Sequence, residues 1–106
     1  MTWLVIHAPN VRTRKEGARG FDETIGKGVG CYAINRRLFS QLTAGCGVVL
    51  LCKDRHRRAE GTLVKLEPNG KTNNNIQRYE VHIANLREVK YKSERLNRNG
   101  VAIIND

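Results

Sequence analysis

Apolar and polar positions along this chain alternate in short blocks, which predicts strands rather than long helices. Residues 2–8 are apolar and β-prone and stop at Pro9, which has no N–H to donate to a sheet. Residues 78–83 place three apolar side chains on one side and three polar ones on the other, the alternation of a half-buried strand. The other strand-like segments are residues 48–52, 62–66, 86–91 and 101–104.

A basic cluster lies between two of these strands. Residues 48–52 and 62–66 flank the sequence KDRHRR, so they predict an antiparallel hairpin with a cationic turn. Gly61 indicates a bulge or a close backbone approach at the start of the return strand. The turn is either a solvated hairpin tip or a site that holds an anion.

One segment has the signature of a helix. Asn35 is a suitable N-cap, Leu38, Phe39 and Leu42 follow at helical spacing, and Gly45 comes just past the end. A short amphipathic helix is therefore predicted here.

Two segments predict loops. Residues 10–30 carry five of the ten glycines and no sustained pattern, which indicates a long, partly mobile loop that is either functional or disordered. Residues 67–71, with the sequence EPNGK, predict a turn built on Pro68, Asn69 and Gly70.

The number of elements indicates the fold class. Five or six short strands and one or two short helices leave too few helices for alternating βαβ units. We therefore expect a mainly β, α+β fold whose antiparallel sheet closes into a small barrel, because closure removes exposed sheet edges. The length of 106 residues predicts a single domain over residues 1–106, expected to act as a monomer.

The charge balance favours a polyanionic partner. The chain has 19 Lys and Arg against 10 Asp and Glu, a formal net charge of +9. Such a charge attracts nucleic acid, RNA or DNA, through its phosphates without sequence preference, although solubility alone is the alternative explanation. No segment is apolar enough to span or line a membrane, and no signal peptide is recognisable, so a cytoplasmic location is expected.

Nothing in the sequence predicts a cofactor or a metal. Cys31, Cys46 and Cys52 form no C-x-x-C pair, and their odd number favours buried, reduced thiols. The three histidines lie apart and fit no common metal-binding pattern. These features favour a binding protein over an enzyme.

The first strand resembles that of a known family. Trp3, Leu4 and Pro9 have the W-L-x-x-x-x-P spacing with which EVE domains of the PUA-like superfamily commonly begin. Residues 38–68 are similar in order to the helix, glycine turn and two strands that follow in that family, although Gly45–Cys46 replaces its usual Gly-Asp. The resemblance implies a PUA-like β-barrel that binds RNA or DNA, in some members through a modified base flipped out of the duplex.

A flipped base requires an aromatic face, hydrogen-bonding groups for its edge and cations for the flanking phosphates. Trp3 is the predicted stacking platform, with Tyr32, Phe39, Tyr79 and Tyr91 as alternatives, and core packing is the competing role for each. His7 and Asn10 are predicted to contact the base edge or else to cap a turn. Arg36 and Arg37 are included because a first helical turn disfavours cations unless an anion is near. The predicted phosphate ligands are Arg12, Arg14, Lys15, Arg19, Arg36, Arg37, Lys53, Arg55, His56, Arg57 and Arg58.

Two other functions remain open. The ASCH branch of the same superfamily includes hydrolases of RNA and of small amides, and this activity would need Lys53 or Lys65 near Glu60 as the acting pair. A basic module that binds an acidic protein is the second alternative.

Overall fold

The fold is built on one mixed sheet of six strands. The computed structural model describes residues 2–8, 20–71, 75–96 and 100–105. In chain order the elements are β1 (Thr2–His7), α1 (Phe21–Lys27), β2 (Val29–Ala33), α2 (Arg36–Phe39), β3 (Gly47–Cys52), a 3-10 turn (Lys53–Arg55), β4 (Arg57–Lys71), β5 (Gln77–Val89) and β6 (Val101–Asn105). The sheet order is β2-β5-β4-β3-β1-β6, and β1 and β3 are its one parallel pair among the described residues.

Strands β1 and β3 are buried on both faces of the sheet. Every residue of β3 is buried. Its apolar run is continuous rather than alternating, which is typical of a strand that is covered on both faces. On one face, Leu4, Val48 and Leu50 pack with Phe21 of α1 in the larger core cluster. On the other face, Val5, Val49 and Leu51 form a smaller cluster that is covered by Trp3, Tyr91, Leu96, Ala102 and Ile104.

Several predicted elements are confirmed. The β3–β4 hairpin, β1 and β6 fall where the apolar pattern placed them, and the fold is mainly β with two short helices. Asn35 caps α2, because its Oδ1 accepts a hydrogen bond of 2.9 Å from the N–H of Leu38. The predicted end before Gly45 is wrong, because the helix ends at Phe39. Cys31, Cys46 and Cys52 are buried and free, and burial raises the pKa of the Cys46 thiol.

The predicted closed antiparallel barrel is wrong for the part of the chain that the structure describes. There β2 and β6 are the two edges of an open sheet and do not pair with each other. The chain leaves β1, forms α1, β2 and α2, and enters β3 in the same direction as β1, which makes that pair parallel. No helix among the described residues is long and apolar enough to cross a membrane.

Part of the predicted loop 10–30 is ordered structure. Residues 20–30 contain α1 and the start of β2, whereas residues 10–19 lie outside the described residues. Asp22 and Glu23 occupy the first turn of α1, and Gly28 ends the helix with a φ of 70° and an N–H···O bond of 2.8 Å to Thr24. The helix has seven residues, too short for a periodic apolar pattern to be visible in the sequence.

Two predicted interruptions are bulges within long strands. Residues 78–91 were predicted as two strands, but β5 is continuous to Val89 and contains a register shift opposite Gly61, with Asn85 at a φ of 55°. The predicted turn 67–71 is instead part of β4, with a register shift between Pro68 and Lys71, and Gly70 there has a φ of 71°. The predicted close approach of another backbone segment to Gly61 is also confirmed, because a Cβ there would lie 2.9 Å from the carbonyl oxygen of Ala84.

Gly47 is expected to be indispensable for packing, because a Cβ there would overlap the indole ring of Trp3, its cross-strand partner. We expect Gly47→Ala to lower the free energy of unfolding by about 1–3 kcal/mol, the usual cost of overpacking. The matched control is Gly26→Ala, because a Cβ on Gly26 of α1 meets no atom within 4 Å. That change should stabilise the helix by about 0.5–1 kcal/mol. Urea unfolding measures both effects, and equal values for Gly47→Ala and the unchanged chain would contradict this packing.

Candidate nucleic-acid interface

Arg57, predicted to bind phosphate, is held by carboxylates of the protein itself. Its Nε and Nη2 donate to the two carboxylate oxygens of Glu88 at 2.9 and 2.7 Å, and its Nη1 lies 2.9 Å from Asp22 Oδ1. The guanidinium also stacks over the Phe21 ring, 4.6 Å from its centroid. These contacts, Glu88 first, raise the pKa of Arg57 above its ordinary value, and Arg57 lowers that of Glu88. The contacts of Arg57 therefore hold α1 against β4 and β5.

Arg58 is buried and also has internal partners. Its Nε donates to Glu60 Oε2 at 2.9 Å, and its Nη1 donates to Glu94 Oε1 at 3.0 Å and to the carbonyl oxygen of Lys92 at 2.9 Å. Two carboxylates already neutralise this guanidinium, so a phosphate would have to displace both.

The rest of the basic turn faces solvent. Lys53, Arg55 and His56 are exposed, and His56 ends the 3-10 turn in the left-handed region with a φ of 50°. Its ring lies edge-on to Tyr91, with the centroids 5.2 Å apart. Two of the five basic residues of the predicted turn are thus structural, and Lys53, Arg55 and His56 remain the ones open to an anion.

Trp3 and His7 lie on β1, and of the other predicted ligands that the structure describes, Arg58 shares a cavity with Trp3. Trp3 packs on the smaller core cluster and lines a cavity of about 220 Å³ with Arg58, Glu60 and Glu94 among its other walls. The two carboxylates of that wall balance the charges of Arg58 and Lys92, so the wall has no excess positive charge to attract a phosphate. The His7 side chain packs against Gly100, whose carbonyl accepts a bond of 2.7 Å from the His7 N–H.

The remaining predicted ligands fall in two groups. Asn10, Arg12, Arg14, Lys15 and Arg19 lie outside the described residues. Arg36 and Arg37 are exposed in α2. Because α2 has only four residues, few peptide dipoles add up in it, and the argument that its first turn requires a compensating anion does not hold. Arg36, however, lines a neighbouring cavity.

A cavity of about 520 Å³ lies between α2 and the ends of β4 and β5. We refer to it as the α2–β5 cavity. Its walls are formed by Asn35, Arg36, Lys71, Asn75, Ile76, Gln77 and Tyr79. They combine two cations, three side-chain amides, an aromatic ring and an aliphatic side chain, and none of them is acidic.

An aromatic pair stands at this cavity. The rings of Phe39 and Tyr79 stack with their centroids 4.7 Å apart and an interplanar angle of 12°. Phe39 is 37% exposed, so part of its surface remains in contact with solvent. Gln77 secures the strand ends beside the pair, because its Nε2 donates to the carbonyl oxygens of Gly70 and Arg78 at 2.9 and 3.0 Å.

The distribution of ion pairs leaves the surface cations without compensation. Among the acidic side chains that the structure describes, all but Glu23 lie within ion-pair distance of an arginine, lysine or histidine. The exposed cations with no ion pair among the described residues are Lys27, Arg36, Arg37, Lys53, Arg55, Lys71, Arg87, Lys90, Lys92 and Arg95. The positive field of the protein therefore comes from its surface.

The residues named for a hydrolase have other partners. Glu60 pairs with Arg58, and the Nζ of Lys65 lies 3.1 Å from Glu67 Oε1. Lys53 is exposed on the 3-10 turn. Nothing in these contacts brings a lysine and Glu60 together as an acting pair.

A separate polar cluster lies on the other face of β5. The side chains of Glu67, Glu80 and His82 each offer a ligand atom, and the three atoms lie within 4.8 Å of one another. Lys65 first, and then the His82 imidazole, lower the pKa of Glu67. This is the group of described side chains that is suited to hold a metal ion.

Comparisons of the chain with protein-family models, with curated proteins and with solved structures find no match. Sequence analysis missed Lys71, Asn75 and Gln77 as members of a site. The signals were the isolated lysine after the predicted turn and the amide-rich sequence that follows it. Neither signal shows by itself that both segments meet α2.

The Arg57–Glu88 pair predicts a pH-dependent stability. Arg57 holds the folded-state pKa of Glu88 below its ordinary 4.5, so the pair stabilises the fold above that pH and loses its effect as the pH falls through the lowered value. Arg57→Met should therefore lower the urea midpoint clearly at about pH 6.5 and much less at about pH 2.5.

The matched control is Arg87→Met, because Arg87 is exposed on β5 next to Glu88 and has no ion pair among the described residues. It should change the midpoint little at either pH. An equal loss of stability for Arg57→Met at both pH values would show that the ion pair contributes nothing.

Proposed function

We propose that this chain is a nucleic-acid-binding domain that holds an unpaired base of a single strand at the α2–β5 cavity. The observation that carries the proposal is the stacked Phe39–Tyr79 pair beside a cavity with Arg36 and Lys71 in its wall and no carboxylate. Every base has a π face, so aromatic stacking binds single strands with little sequence preference.

The cations beside the aromatic pair fit the phosphates that flank such a base. Arg36 and Arg37 extend from α2 and Lys71 from the end of β4, and all three are exposed without an ion pair among the described residues. Binding a phosphate there breaks no internal contact, in contrast to Arg57 and Arg58. Release of the counterions condensed on the strand would supply much of the affinity.

The amides suit the edge of the base. Asn35 uses its Oδ1 to cap α2, which leaves its NH₂ group without a partner among the described residues. Asn75 has a φ of 64°, a backbone conformation that asparagine tolerates better than most residues. Amide groups both donate and accept, as recognition of a base edge requires. The same proposal includes a modified base as a ligand of this cavity.

The resemblance to EVE and PUA-like domains stays a prediction. The open sheet lacks the closed barrel that this resemblance implied. The proposed site does not depend on it. Trp3 packs beside carboxylates, so the stacking role passes from Trp3 to Phe39, which was one of the alternative platforms.

Loss of the π face should weaken binding. We expect Phe39→Leu, which keeps an apolar side chain, to cost about 1–3 kcal/mol of binding free energy for single-stranded RNA or DNA, whereas Phe39→Tyr should retain the affinity. Fluorescence anisotropy of labelled single strands measures the two dissociation constants. Equal affinities for the two variants would contradict stacking on residue 39.

Loss of the cations should change the salt dependence. The double variant Arg36→Ala, Lys71→Ala should lower the slope of log K against log salt by about 1.4 for a single strand, since each phosphate contact contributes about 0.7. The control carries Arg87→Ala and Lys90→Ala, an equal loss of charge at exposed positions away from the cavity. Equal slopes for both double variants would contradict a local site. If no oligonucleotide binds, the basic surface serves an acidic protein partner instead.

A further inference from the structure

The polar cluster of Glu67, Glu80 and His82 has no part in the proposed nucleic-acid site. On β5, Glu80 and His82 alternate with Tyr79, Val81 and Ile83, so the two sets of side chains point to opposite faces of the sheet. Glu67 is the cross-strand partner of Glu80 on β4. Side chains of directly paired residues lie side by side, which brings the two carboxylates together.

Two like charges in direct cross-strand register are unfavourable without a cation. His82 is the group placed between them, because its Nε2 lies 2.8 Å from Glu67 Oε1 and 3.8 Å from Glu80 Oε2. That nitrogen is shielded from solvent and makes no hydrogen bond of good geometry among the described residues. A buried ring nitrogen that faces two carboxylates without a well-formed hydrogen bond is a position for a cation.

We propose that Glu67, Glu80 and His82 form a binding site for a divalent transition-metal ion, with Zn²⁺ as the best fit. One imidazole nitrogen and two carboxylate oxygens are ordinary zinc ligands, and a water molecule would complete four-coordination. Oxygen-preferring ions such as Mg²⁺ and Ca²⁺ gain little from the imidazole.

The distances require only small side-chain movements. Zinc bonds of about 2.1 Å place tetrahedral ligand atoms roughly 3.4 Å apart. The His82 to Glu67 distance must open from 2.8 Å and the His82 to Glu80 distance must close from 3.8 Å. Both glutamates are partly exposed, so their side chains have room to move.

The charged groups around the cluster set the conditions for binding. The ammonium of Lys65 must leave Glu67 Oε1, which costs little because Lys65 is exposed. Arg78 is 4% exposed and lies on the same side of β5 as Glu80. Cys31 is the cross-strand partner of Glu80 on β2, and its Sγ accepts a contact of 3.8 Å from Asn69 Nδ2. Metal ions bind imidazole and carboxylate groups in their deprotonated forms, so binding is expected to weaken as the pH falls.

The test is a calorimetric titration of the untagged, chelator-treated protein with ZnCl₂. We expect one Zn²⁺ per chain, and His82→Gln and Glu80→Gln should each weaken binding by at least about tenfold. His56→Gln is the matched control, because His56 is exposed on the basic turn and should leave the affinity unchanged. Circular dichroism without metal checks that each variant is folded.

A second readout identifies the ligands directly. Co²⁺ in place of Zn²⁺ should give visible absorption bands of a four-coordinate ion that are lost in His82→Gln and kept in Cys31→Ser. Absence of Zn²⁺ binding, equal affinity for the unchanged chain and His82→Gln, or a loss confined to one of the two ligand variants would each overturn the three-residue site. The outcome is independent of the nucleic-acid proposal, because Phe39→Leu should bind Zn²⁺ normally.

Discussion

Two neighbouring arginines, Arg57 and Arg58, hold α1 and the segment after β5 against opposite faces of the sheet. The rest of the fold depends on these contacts. Because successive residues of a strand point to opposite faces, Arg57 and Arg58 reach different sides of β4. Arg57 fastens α1 through Phe21 and Asp22, and Arg58 fastens the segment after β5 through Glu94. Strands β1 and β3 are apolar on both faces, so each face needs its cover. The last two residues of a charge run that looks like a surface feature therefore make internal contacts.

The sequence offered no sign of this division of labour. KDRHRR is uniformly basic apart from Asp54. Glu60 lies two residues from Arg58, but Glu88 and Glu94, the second carboxylates of Arg57 and Arg58, lie 31 and 36 residues further along the chain. Net charge measures how many cations exceed the anions but not which of them are already paired. In this fold the acids are largely used within the protein, so the excess is displayed by the exposed lysines and arginines. The exposed cations, rather than Arg57 and Arg58, are therefore the ones available to the polyanionic partner that we propose.

Local patterns predicted local structure and failed where distant segments meet. The apolar runs located β1, β3, the start of β4 and β6, and Asn35 was found as the cap of α2, because each signal lies within a few residues. The parallel pairing of β1 with β3 depends on the path of the intervening chain, which no periodicity records. The α2–β5 cavity was missed for the same reason. Arg36 and the two aromatic residues were recognised as candidates, but Lys71 and Gln77 join them only because the far end of the β4–β5 pair folds beside α2.

The bulge at Asn85 explains how one strand serves three purposes. Before it, the odd-numbered residues Val81 and Ile83 face the main core, and even-numbered Glu80 and His82 face the opposite side. The bulge adds a residue, so after it even-numbered Leu86 packs on the main core and Glu88 shares that face. Arg57 lies on that face beside Phe21, so Glu88 reaches it there. Without the extra residue, Glu88 would point to the face on which Arg58 lies. Arg57, which holds α1, would then lose its bidentate partner. The bulge that made β5 look like two strands in the sequence therefore lets one strand place its polar cluster on one face of the sheet. It also places Glu88, the partner of Arg57, on the other face, where α1 is held.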